Sequence, residues 1–133
     1  MRLLLLFSAL LLAPPVSAQP GAREPEWRQS ADFDVLLEPF DIEPGVLRLE
    51  ANRPVRLRFV NSGQRPLSFS APGFFRAARI RSGDGDDLRS GSFRLEAGGR
   101  RTIVLVPRAG RYGMRSANFF HRLMGMKGRI VVE

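Results

Sequence analysis

The chain has 133 residues, 21 basic and 13 acidic, a formal charge of +8, one histidine and no cysteine. This length builds one compact domain with one core. The lack of cysteine excludes disulfides, thiolate nucleophiles and thiolate metal ligands alike.

Residues 1–18 read as a secretory leader. Arg2 gives the positive start, Leu3 to Leu12 the apolar run, and Pro14-Pro15-Val16-Ser17-Ala18 a small-residue cleavage site after Ala18. The apolar run is short for a membrane span. The expected product is exported to a periplasm. Removing Arg2 leaves 20 basic against 13 acidic residues, a formal +7. In a cytosolic protein this excess would point to nucleic acid. Export excludes that partner and leaves an anionic membrane surface, an acidic protein, or a sheet that simply carries arginine on its outer face.

Residues 19–31 are polar and aperiodic and read as a flexible lead-in, with Trp27 packing on the domain edge. The domain proper is expected over 32–133. Phe33, Val35 and Leu37 alternate with Asp34, Leu36 and Glu38. Leu47, Leu49 and Ala51 alternate with Arg48 and Glu50. Val55, Leu57 and Phe59 alternate with Arg56 and Arg58. Each reads as a strand with its apolar set inward. Pro66 to Ala71 is a further short strand. Phe74 to Ile80 has helical spacing and predicts one or two helical turns. Residues 81–90 form a Gly/Asp-rich excursion, read as a solvated turn. A calcium loop starting at Asp84 fails, because its fifth and twelfth positions are Leu88 and Leu95. Ser92 to Glu96 and Arg101 to Val106 flank an Ala97-Gly98-Gly99 turn. The fold class is therefore all-β, a sandwich of about seven or eight short strands, with turn signals every 8 to 12 residues or so.

The last stretch, residues 109–133, reads strand, loop, strand. Tyr112, Met114 and Ser116 alternate with Arg111, Gly113 and Arg115. Ser116, His121 and Met126 follow at intervals of five, and Lys127 to Glu133 is β-branched. Tyr-x-Met-x-Ser, then His121, then Gly125-Met126-Lys127-Gly128 before a closing strand resembles the C-terminal signature of cupredoxins. The segments 40–49, 55–61 and 66–69 resemble that family's entry strands. The likeness spans the mature domain and is strongest to small periplasmic cupredoxin-like domains found with bacterial iron and copper uptake systems. It implies a Greek-key sandwich or barrel with four copper ligands at one pole. Ser116 stands where the copper-binding Cys is expected, Leu67 where the first His is expected, and Asn118 where a second loop His often stands. His121 and Met126 match.

A blue-copper site needs a thiolate and two imidazoles in a plane, with a weak axial thioether. Ser116 offers a neutral hydroxyl and Leu67 no donor. His121 and Met126 are at most half a site, with Met114 and Met124 as further soft donors for Cu(I). The plain alternative is that Met114 and Met126 fill the space with packing. Phe119 and Phe120, with Phe74 and Phe75, are expected to form an apolar patch rimmed by Arg65, Arg115 and Arg122, or to divide between core and surface. No catalytic constellation is found. The resemblance implies a non-enzymatic accessory module of periplasmic copper or iron handling, docking to a metal-transport or redox protein. An electron carrier with altered ligands and a metal-free interaction sandwich are the alternatives.

Overall fold

A computed structural model of the chain describes residues 25–133. The leader and the first part of the lead-in lie outside the described residues. A 3₁₀ turn at Trp27–Gln29 precedes ten strands: β1 (Ala31–Glu38), β2 (Asp41–Glu43), β3 (Val46–Leu49), β4 (Val55–Asn61), β5 (Leu67–Ser70), β6 (Arg79–Ile80), β7 (Ser92–Leu95), β8 (Arg100–Val106), β9 (Gly110–Arg115) and β10 (Lys127–Val132). Two short helices complete it, α1 (Pro72–Ala77) and α2 (Phe119–Leu123).

The strands form two sheets of five, ordered β2-β1-β4-β8-β6 and β3-β10-β9-β5-β7. The pairs β1/β4 and β3/β10 are parallel and the others antiparallel. The all-β sandwich is as the alternation predicted. The number of strands is larger than seven or eight, because β2 and β6 are three- and two-residue strands too short to show a period. The helical turn expected over 74–80 ends at Ala77, and Arg79 and Ile80 pair with β8 instead. Within the loop expected at 117–126, residues 119–123 are helical.

The core lies between the sheets. Phe59, Phe69, Phe93 and Phe75 stack in one aromatic cluster, with ring centroids 4.8 to 6.5 Å apart. Each such ring, fully buried, contributes roughly 2–3 kcal/mol. Phe74 and Phe75 are both buried, so neither joins a surface patch. Helix α1 explains this: its Pro at the first turn fixes the start, and consecutive Phe side chains then point at different parts of the same core.

The chain crosses between sheets at residues 96–99, so β7 and β8 do not pair with each other. Asn61, fully buried at the end of β4, fastens this crossing. Its amide nitrogen donates to the carbonyls of Arg65, Leu95 and Glu96 at 2.8 to 3.1 Å, and its oxygen accepts from the Gly63 N–H. The excursion at 81–90 is better anchored than a solvated turn. The Asp84 carboxylate accepts from Arg81 and from the backbone N–H of Val104, and Leu88 is buried.

Candidate functional site

Strands β9 and β10 pair in register, with Arg115 opposite Lys127 and Met114 opposite Gly128. The pairing runs on past the strands, since the Ser116 N–H donates to the Met126 carbonyl at 2.9 Å. The intervening loop is thereby held at one end of the second sheet. Asn118 caps helix α2: its side-chain oxygen accepts from the His121 N–H, and its carbonyl accepts from the Arg122 N–H. The His121 carbonyl then accepts from the Met126 N–H at 3.0 Å. Capping, rather than ligation, is the physical work the structure gives Asn118.

Leu67, Ser116, His121 and Met126 all belong to this pole. Leu67 and His121 line one cleft of about 300 Å³ together with Arg65, Ser68, Arg94 and Asn118. Ser68, next to Leu67 on β5, reaches the loop. Its hydroxyl lies 3.3 Å from that of Ser116 and accepts from the Ala117 N–H at 3.1 Å. The Ser116 hydroxyl in turn accepts from the Asn118 N–H at 3.1 Å.

Met114 and Met126 are fully buried and belong to the hydrophobic core, whereas Met124 is 54% exposed. The two glycines around Met126 have structural reasons of their own. Gly125 has φ +108°, a conformation side chains rarely adopt. A Cβ on Gly128 would lie 2.5 Å from the Gly45 carbonyl oxygen and 2.7 Å from the Met114 methyl carbon. The Gly-Met-Lys-Gly motif thus has backbone and packing reasons for its two glycines on either side of the buried Met126. His121 is half-buried with Nδ1 inside, and the Phe40 ring meets it edge-on at 5.6 Å. Phe40 has a left-handed backbone, φ 67°, which costs a non-glycine residue on the order of 1 kcal/mol.

Phe40 and Ser68 are the site residues that sequence reasoning did not find. Phe40 follows Pro39 in a turn, and its bulk at a turn position was the available signal. Ser68 sits on the outward phase of a strand and had no distinguishing mark.

Tested against a type-1 copper ion, these residues do not fit. Leu67, where the resemblance expects the first histidine, is a buried leucine. Ser116, where the resemblance expects the cysteine, is a hydroxyl already engaged in hydrogen bonds. A thiolate is lacking throughout. Among the described residues no three His, Asp or Glu side chains gather to hold a metal, and no helix is long and apolar enough to cross a membrane.

No protein-family model matches the sequence, and no curated protein matches it. Solved structures do resemble it. Sodium dithionite-reduced auracyanin from the photosynthetic bacterium Roseiflexus castenholzii superposes with a TM-score of 0.57 at 15% identity, covering 78% of this chain and 98% of that one. Auracyanin B gives 0.56 at 19% identity over 84% and 91%. The copper nitrite reductase from Nitrosomonas europaea gives 0.55 at 13% identity over 77% of this chain and 49% of that one. The fold is cupredoxin-like.

Proposed function

We propose that this is an exported cupredoxin-fold binding protein that serves periplasmic copper or iron handling as a non-enzymatic accessory, recognising a metal-transport or redox partner rather than shuttling electrons. The observation that carries this reading is the Ser116 hydroxyl. It stands where the family resemblance expects the thiolate, and it is bonded to Ser68 and to the Asn118 N–H. A thiolate supplies the charge and covalency that hold copper and set its redox behaviour. A neutral hydroxyl in a hydrogen-bonded loop supplies neither. The copper of the nitrite reductase therefore does not transfer, although the scaffold does.

What remains for metal is weak. His121 with the thioether of Met126, and Met114 as a further soft donor, suits Cu(I) at low coordination. A metal-free interaction sandwich is the second reading. It is favoured by the burial of Met114 and Met126 in the core, where they act as packing.

Titration with Cu(I) and Cu(II) tests both. The expected result is weak Cu(I) binding that His121→Ala and Met126→Ala each reduce, with no intense visible band on adding Cu(II). Equal weak binding by all three proteins removes the metal role and leaves the second reading. An intense visible band in the wild type would overturn the argument from Ser116.

A further inference from the structure

The outward positions of three neighbouring strands share one sign of charge. Arg48 on β3, Lys127 and Arg129 on β10, and Arg111 and Arg115 on β9 are all exposed. Between them lie only Val46, Val131 and Gly113. Register makes the array dense, since Arg115 faces Lys127 directly and Arg48 neighbours Val131, which faces Arg111. Like charges opposite one another destabilise a strand pair. Among the described residues none of these five cations has an ion pair. The nearest carboxylates along the strands, Glu50 and Glu133, follow the far ends of β3 and β10, and Glu50 is held by Arg53. Asp41 and Glu43 lie on β2, in the other sheet.

The array continues into the loop pole. Arg115 and Lys127 line a cleft of about 590 Å³ with Arg122 and Leu123 from the end of α2. Leu123 and Met124 are 69% and 54% exposed, the most exposed large apolar side chains among the described residues.

We propose that this face and tip seat the domain on an anionic phospholipid surface. Evenly spaced cations on a sheet, without convergence on one point, suit a layer of phosphate headgroups better than a single ligand. The adjacent Leu123 and Met124 decide between lipid and an acidic protein. At a bilayer they enter the boundary between headgroup and acyl chain while the cations stay among the phosphates. A purely acidic partner would leave them in water.

Vesicle sedimentation of the purified protein tests this. Vesicles of phosphatidylcholine with roughly one-third phosphatidylglycerol should carry the protein down, pure phosphatidylcholine should not, and binding should fall as salt rises from about 0.05 to about 0.5 M. Arg115→Gln/Lys127→Gln/Arg129→Gln should weaken binding on the order of a hundredfold. Leu123→Ser/Met124→Ser should weaken it by about tenfold or more. Both variants change only exposed side chains, and circular dichroism checks that each folds. Binding indifferent to lipid charge overturns the proposal, as does full binding by either folded variant. If the serine variant keeps full binding and soluble poly-glutamate competes for the protein, the face belongs to an acidic protein instead.

Discussion

The two outer faces of the sandwich use arginine in the same alternating pattern and to opposite effect. On the first sheet, Arg56 and Arg58 of β4 stand in register with Asp32 and Asp34 of β1. Each pair is an ion pair, at 3.1 and 2.7 Å, and Asp34 holds the Arg58 guanidinium pKa above its ordinary value, chiefly by its hydrogen bond. On the second sheet, β9 and β10 set Arg115 against Lys127 and Arg129 against Gly113. One face neutralises itself and the other leaves its field in the solvent. Alternation decides which side chains meet water, and register alone decides whether their charge is met.

The sharpest way to separate stability from surface charge is to cut a residue that belongs to neither face. Asn61→Ala leaves the carbonyls of Arg65, Leu95 and Glu96 without their buried donor. Stability should fall by about 3 kcal/mol, read as a lower denaturation midpoint at constant slope. A loss below about 1 kcal/mol would mean that water replaces the amide.

Arg101→Ala comes next. Arg101 pairs with Asp87 at 2.5 Å, donates to the Asp84 carbonyl, and lies 4.9 Å over the Phe93 ring. We expect a loss of about 1–2 kcal/mol, mostly from the ring and carbonyl contacts, because the Asp87 carboxylate is exposed and screened. The hydrogen bond from Arg101 holds the Asp87 carboxyl below its ordinary pKa. A depressed carboxyl stabilises above its unfolded value, about 3.9, and that contribution fades as pH falls through the lower folded value. The variant should therefore lose less stability than the wild type between neutral pH and strong acid. An unchanged acid limb would show that the pair contributes nothing.

The smallest effect should fall on the unpaired face. Arg115→Gln/Lys127→Gln removes a like-charge cross-strand pair and should stabilise by a few tenths of a kcal/mol at low salt, vanishing at high salt. The mirror change, Asp32→Asn/Asp34→Asn, should destabilise by less than about 1 kcal/mol. If both pairs of substitutions moved the thermal midpoint in the same direction, the contrast between the faces would fail.

Much of the fold was legible because its long strands carry a clean period. Val55, Leu57 and Phe59 are buried as their alternation requires, and Tyr112, Met114 and Ser116 turn inward or partly inward. The loop pole was legible from the spacing of Ser116, His121 and Met126. What escaped was decided by partners distant in sequence. Ser68 reaches Ser116 across 48 positions, and Asn61 clamps residues 34 and 35 positions away. The crossing at 96–99 has the glycines of a hairpin turn, and only packing sends its two arms to different sheets. Phe74 and Phe75 read as surface candidates because adjacent aromatics at helical spacing do not reveal that both can be core.

The Ser68–Ser116 bridge and the capped turn beside it are built entirely from atoms of the chain. A pole closed in this way takes its shape from the chain's own hydrogen bonds. The quantity of finished protein should then be the same in cells starved of copper and in cells flooded with it.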